Sequence, residues 1–281
     1  MRKSIFLYAA CVIIFYFGTI AFAAEVIDID IGNLDDPRIV LEELKVKVNK
    51  AFNQVETELS AAAQELSATG ISGPAAKAIL DKLYNGKEFL VDCTTISPDG
   101  RIVAITPDNF KDQEGKDISG QEHIGRLIRT KKPTFSDVFL SVEGFNAVDF
   151  QYPVFSPGNE FLGSVNLLIK YEGLFSPIVL PIVQGGPFDV WIIQKNGLTL
   201  YDPDKEEIGR NVFEDPLYKP FPSYVELCRR IVKEESGFGS YNFLNKGLGK
   251  PINKDAAWAT IGMYGVEWRM VVVRERRTIG G

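Results

Sequence analysis

Three strand-like runs in quick succession constrain this chain most. Pro133–Val142, Asn146–Phe155 and Phe161–Tyr171 are separated only by Glu143-Gly144-Phe145 and by Ser156-Pro157-Gly158-Asn159. Turns that short, rich in Gly, Pro and Asn, join antiparallel neighbours. A basic helical segment starting near His123 leads into this meander, which carries Phe135, Phe139, Phe145, Phe150, Tyr152, Phe155 and Phe161. A sheet with that aromatic weight is one wall of a core or of a small-ligand pocket, provided another element covers it.

The residues before the meander supply more of the same sheet. Glu88–Ile96 reads as a strand, Ser97-Pro98-Asp99-Gly100 as a turn, and Arg101–Thr106 as the return strand. A polar loop to Gly120 and the basic helix then intervene. The unit is two strands, a loop-and-helix insertion and three strands, which predicts a five-stranded antiparallel sheet with helices on one face, an α+β arrangement. After Gly173–Pro187, rich in Pro and Gly and read as a connector, the pattern repeats. Asp189–Ile193, Leu198–Tyr201, Gly237–Phe243, Lys254–Tyr264 and Trp268–Val273 are strands, with a polar loop from Asp202 to Leu217 and a helix from Tyr224 to Glu234.

Ahead of both units lies a long helical stripe. Asp35-Asp36-Pro37 starts it, and Leu41, Leu44, Val48, Ala51, Val55, Leu59, Ala62 and Leu66 follow at gaps of mostly three and four. Thr69-Gly70 ends it. A helix of this length, about 45–50 Å at 1.5 Å per residue, outruns one small domain. The reading is a spine shared by two units, with homodimerisation along it as the other use of such a stripe. A second, shorter helix follows from Ala75 to Tyr84.

The N-terminus points to export. Met1-Arg2-Lys3-Ser4 is basic, Ile5–Phe22 is apolar, and Ala21-Phe22-Ala23-Ala24 offers small residues at cleavage spacing. The alternative is an uncleaved anchor helix. The divisions are thus 1–24 signal peptide, 25–85 helices, 86–172 first unit, 173–187 connector and 188–281 second unit. With a net charge of -6 and no basic run, the chain is not a nucleic-acid binder. Cys93 and Cys228 read as two buried thiols rather than a disulfide.

Several motifs in this order resemble the extracellular double Cache sensor domains, also described as tandem PAS-like. In the first unit these are Pro98-Asp99-Gly100, Gly115-Lys116-Asp117-Ile118, Tyr152-Pro153-Val154-Phe155 and Phe161-Leu162-Gly163-Ser164-Val165. In the second they are Asn196–Pro203, Glu207-Ile208-Gly209-Arg210-Asn211 and Trp268–Val273. The resemblance implies two Cache units behind one long helix, outside the cell, binding a small organic molecule in the first unit. Amino-acid-binding members carry an Arg-x-Trp-Tyr element before the third strand and an Asp near the end of the fifth. Here Arg126–Thr130 lacks the aromatic pair, and Leu168 occupies the Asp position, which argues against an amino-acid ligand.

The candidate site comes from polar residues inside strands. Asp149 and Gln151 share one face of their strand, as Ser164 and Asn166 do of theirs; Ser136 and Asp137 point to opposite faces. A buried polar group without a partner costs ~1–3 kcal/mol, so such residues face solvent, pair with each other or meet a ligand. The expected ligand contacts are Ser136, Asp149, Gln151 and Asn166, with Phe139 and Tyr152 as aromatic walls and Arg126 to grip a carboxylate. His123 reads as a helix-surface residue without a role. No nucleophile, zinc ligand set or EF-hand spacing is present, so no catalytic residue, metal or cofactor is expected. Asp202–Glu207 reads as a solvated loop. The expected function is sensing of a small organic molecule such as a carboxylate; the alternative is an interaction module docking a membrane receptor through the long helix.

Overall fold

The computed structural model describes residues 36–245 and 249–276. The expected signal peptide lies outside them. Helix α1 (Pro37–Thr69) starts where Asp36 accepts a hydrogen bond from the Arg38 amide at 2.9 Å, with proline in the first turn. It ends at Gly70, whose amide donates to the Leu66 carbonyl at 2.8 Å. Its 33 residues run about 50 Å. The buried stripe is the expected one, except that Phe52 rather than Ala51 carries it through the middle.

That stripe is spent inside the chain. Two antiparallel sheets lie along α1, joined with it in one hydrophobic core. The first has β2 (Ile102–Thr106), β1 (Leu90–Ile96), β6 (Phe161–Ile169), β5 (Asn146–Phe155) and β3 (Thr134–Phe135) in that spatial order, and β4 (Phe139–Leu140) also pairs with β5. The second has β8 (Thr199–Tyr201), β7 (Phe188–Gln194), β11 (Trp268–Glu275), β10 (Lys250–Ile261) and β9 (Ser236–Asn245). Apart from β4 the two orders are equivalent, so the duplication read from the sequence is a duplication of topology. Phe52 stands where they meet, its ring centroid 5.5 Å from Phe135 of the first sheet and 6.3 Å from Trp268 of the second.

Four details differ from expectation. The run Pro133–Val142 is not one strand but β3 and β4 with a break at Ser136–Val138. The break has a cause: the Val138 amide donates to Gln194 Oε1 at 2.9 Å, and Trp268 Nε1 donates to Asp137 Oδ1 at 3.2 Å. A side chain of the second sheet thus takes the Val138 amide that a continuous strand would have used. The connector folds for most of its length as α4 (Tyr171–Val183), despite Pro177 and Pro181 within it. Leu174, Phe175 and Val179 are buried on its inner side, and Phe175 meets Trp268 and Tyr201 edge-on. Burial at helical spacing outweighs the local cost of proline. Finally, the second-unit helix is α5 (Pro222–Ile231), and its last turn is capped by the buried Arg269, whose Nε donates to the Ile231 and Glu234 carbonyls at 3.1 and 2.8 Å. The second unit's last hairpin is longer on its first arm than the expected Lys254–Tyr264, beginning at Lys250 and ending at Ile261.

Candidate functional site

Register decides what the first sheet offers. Cys93 pairs with Leu167, and Leu167 with Phe150. These apolar residues belong to the core that includes α1. One residue along, the row changes character. Thr94, Asn166 and Gln151 are cross-strand partners, and Leu168 is the partner of both Asp92 and Asp149. Period two puts this whole polar group on the face away from α1. Helix α3 (Glu122–Thr130) and β4 with its turn cover that face.

Asp149 is the centre of the network. Its Oδ2 accepts from Gln151 Nε2 at 2.8 Å and from Asn166 Nδ2 at 3.1 Å. Its backbone amide donates to Ser136 Oγ at 2.8 Å. Ser164 donates to Asn166 Oδ1 at 2.7 Å, which fixes the amide of Asn166 with its nitrogen toward the carboxylate. His123, expected on the surface, is buried; its ring lies 4.3 Å from the Phe139 ring and its Nε2 3.5 Å from Asp149 Oδ2. Burial lowers His123 to about 4, with Arg126 contributing. Burial also raises Asp149 to about 7 against the hydrogen bonds from Asn166 and Gln151, with Glu143 adding to the rise. Asp92 is pushed well above the carboxylate range by burial, then by Glu143 and Asp149. The histidine is therefore neutral at pH 7, and burial works against the negative charge of both carboxylates.

A cavity of about 30 Å³ opens between this face and its cover, lined by Asp92, Thr94, Phe139, Ser141, Glu143, Asp149, Asn166 and Leu168 among others. That is room for about one water molecule. No Arg or Lys lines it. Asp92 Oδ2, Ser141 Oγ and Glu143 Oε2 are buried there without a hydrogen-bond partner, as is Gln151 Oε1 close by. Together they form a small acceptor-rich chamber, suited to a group that brings N–H donors and positive charge.

The seven expected contacts divide accordingly. Asp149, Asn166 and Phe139 line the chamber, while Gln151 and Ser136 hold Asp149 from behind. Tyr152 does not belong: it is one residue out of phase with Asp149 and Gln151 and packs against the core instead. Nor does Arg126, whose Nη2 donates to the Phe135 carbonyl at 2.7 Å and ties α3 to β3. Asp92, Thr94, Ser141, Glu143 and His123 were missed. An aspartate inside the otherwise uncharged Leu90–Ile96 run was the legible signal; the others depend on the cover. Leu168 does sit where the carboxylate of amino-acid-binding members was sought, but Asp92 and Asp149 flank it on both neighbouring strands. Carboxylates thus stand on either side of that position rather than at it.

Residues 50–171 match the family described as HK/GC/Chemotaxis protein-like, sensor domain. No curated protein matches. Among solved structures, the extracellular ligand binding receptor from Desulfohalobium retbaense is 32% identical, with a TM-score of 0.71; the match covers 84% of this chain and 40% of that one. The periplasmic sensory domain of the Campylobacter jejuni chemoreceptor Tlp1 is 13% identical with a TM-score of 0.57, over 85% of this chain and 93% of that one. The ligand-binding domain of the Pseudomonas aeruginosa amino acid chemoreceptor PctB, in complex with L-Arg, is 14% identical with a TM-score of 0.57, over 85% and 92%. The last two share the fold of this chain. Residues 50–171 are thus similar to sensor domains of the HK/GC/chemotaxis kind, and the chain shares its fold with extracellular and periplasmic ligand-binding domains, the arrangement that the resemblance to double Cache domains implied.

Proposed function

We propose that this protein senses, outside the cytoplasmic membrane, a small organic molecule bearing a protonated amine, which it binds in the first unit without chemical turnover. The observation that carries the reading is the pair of buried carboxylates, Asp92 and Asp149, on either side of Leu168 with no cationic side chain lining the chamber between them. An ammonium group placed there donates to oxygens that now lack partners and offsets the charge that burial disfavours. A carboxylate ligand, the original expectation, would meet like charge and no arginine. The amino-acid-bound PctB domain, of the same fold, supports the ligand class.

The chamber admits only the head of such a ligand. The rest has to displace β4 and the Ser141–Phe145 turn, a cover held to the sheet by two paired residues and exposing Leu140 and Val142. Among the described residues no helix is long and apolar enough to cross a membrane. The extracellular and periplasmic setting of the similar structures supports export through residues 1–24. The interaction-module reading loses its main support, because the apolar stripe of α1 is covered by the chain's own sheets.

A thermal-shift series with the exported chain tests this. Amino acids and simple amines are expected to raise the unfolding temperature, a ligand at 100 times its Kd adding ~2.7 kcal/mol. Asp149→Ala and Asp92→Ala should each remove the shift. A shift produced by amine-free carboxylates alone, or one untouched by Asp149→Ala, overturns the assignment.

A further inference from the structure

Four consecutive residues, Ser136 to Phe139, join the first-unit chamber to the second sheet. The Ser136 amide donates to the Asp149 carbonyl at 2.9 Å, and Ser136 Oγ accepts from the Asp149 amide at 2.8 Å. Asp137 Oδ1 accepts from Trp268 Nε1 at 3.2 Å, and the Val138 amide donates to Gln194 Oε1 at 2.9 Å. Phe139 returns to the chamber. It lines the cavity, pairs with Ala147 and places its ring 4.3 Å from the His123 ring. The outer two residues thus serve the chamber, and the two between them are bonded to the other unit. The receiving side chains form one post. Gln194 and Trp268 are cross-strand partners on β7 and β11, and both are buried. The Trp268 ring is wedged against Phe52, Phe135 and Phe175, with centroids 6.3, 5.0 and 5.9 Å away. The second unit's own cavity, of about 210 Å³, lies elsewhere, against the Asp202–Glu207 loop. That loop was expected to be solvated, yet Glu207 is buried in it. Neither Gln194 nor Trp268 lines that cavity.

We infer that Ser136–Phe139 is a strap by which the second sheet sets the shape of the first-unit chamber, with Gln194 and Trp268 as positioning residues for ligand binding there. The reason is length. Each residue advances the chain by at most ~3.3–3.6 Å, so Asp137 and Val138 leave no slack between Ser136 and Phe139. Phe139 cannot leave the chamber without drawing on the Val138 amide. Val138 cannot leave Gln194 without stranding a partly buried donor. Beyond Phe139 the cover is held less. Leu140 is exposed, and the turn after it is bonded within itself, the Ser141 amide to the Phe145 carbonyl at 3.0 Å and the Gly144 amide to the Ser141 carbonyl at 3.1 Å. A ligand larger than one water therefore lifts the turn and loads the strap. Such coupling is reciprocal: what ligand entry does to the Gln194–Trp268 pair, a disturbance of that pair does to the chamber. The inference builds on the chamber as the ligand site, not on the charge of the ligand.

His123 reports on the chamber without any ligand. It is the chain's single histidine, so its C2 proton is identified directly in the NMR spectrum of the untagged exported chain. Phe139 packs on the ring, and Arg126 and Asp149 are the charged groups beside it. Loosening the strap at its far end lets water reach the imidazole and relieves the burial that disfavours its cation. Followed from pH 4 to 8, Gln194→Ala is expected to raise the proton affinity of His123 about tenfold. Val190→Ala, which opens a cavity on the same strand and leaves the strap's contacts alone, should not change it. In the other direction, Ser136→Ala should speed hydrogen exchange of the Trp268 indole N–H roughly tenfold, with that of Trp258 unmoved. An unchanged His123 in Gln194→Ala, an equal rise in Val190→Ala, or a Trp268 indole indifferent to Ser136→Ala overturns the inference. No ligand enters these measurements, so their failure is distinct from a failure of the amine assignment.

Discussion

The two units share a strand order and a helix, yet they enclose opposite interiors. In the first, the face away from α1 is a hydrogen-bonded network centred on Asp149, closed over a space for about one water. In the second, the corresponding region is aromatic, with carboxylates at its edge, around a cavity of about 210 Å³. Topology sets where a covered face lies; side-chain phase and the covering segment set what it holds. The cover of the first unit is short because its middle is drawn off to the second sheet by Gln194 and Trp268. That same segment, Ser136–Phe139, contacts Asp149 through Ser136 and His123 through Phe139. It is the physical link between the chamber and the other sheet.

The comparison is most easily broken at a glycine. Gly163 has φ near +131°, and a Cβ there would lie 2.0 Å from the Ile96 carbonyl oxygen, a backbone atom that cannot step aside. Gly163→Val should destabilise the fold by more than ~4 kcal/mol, read as loss of cooperative unfolding at ordinary temperature. In the second sheet Gly237 is needed for another reason: its Cβ would strike the Trp258 ring at 2.2 Å. Next in size is the shared spine. Phe52→Ala removes the ring between Phe135 and Trp268 and should cost ~3–5 kcal/mol in denaturant titration. If the sheets depend on α1 for their union, the variant's unfolding should also broaden or split.

A pH series sharpens the contrast at Asp149. Its pKa is raised in the folded state to about 7, so the folded chain binds the proton more tightly than the unfolded one. The stability this gives is complete below about pH 4 and is lost as pH rises through about 7. His123 acts oppositely, since its lowered pKa of about 4 makes stability fall as pH drops from about 6.5 to 4. The two offset each other over that range. Asp149→Asn should therefore match or trail the parent near pH 4 and gain on it by ~1–4 kcal/mol by pH 8, measured by urea unfolding at both ends. The smallest effect concerns the link. Gln194→Ala leaves the Val138 amide without its partner and should cost ~1 kcal/mol. It should also loosen the β4 cover, seen as faster amide exchange at Phe139 and Leu140 than in the parent.

Much of this molecule was legible in its residues. The α1 stripe, the meander and its turns, and the repeated strand order follow from local periodicity and turn chemistry, which act over a few residues and are written into them. Asp149, Gln151 and Asn166 were legible as one buried polar group because period two places Asp149 and Gln151 on one face and because buried polar groups need partners. Tyr152 was misjudged against that same period. Arg126 was expected at the ligand, but its Nη2 goes to a carbonyl nine residues away, which spacing does not show. Composition suggested a connector where α4 forms, because its prolines are local and the burial of Phe175 against Trp268 is not.

By itself, then, the sequence determined most of the elements, their order and the duplication, since each rests on interactions between near neighbours. The tertiary structure alone decided which carboxylates face each other, that His123 is buried, that Asp202 closes a cavity rather than facing water, and that the two sheets share one core. Those facts depend on strand register and on contacts between residues tens to hundreds of positions apart. Their energies appear only once the chain has closed those loops.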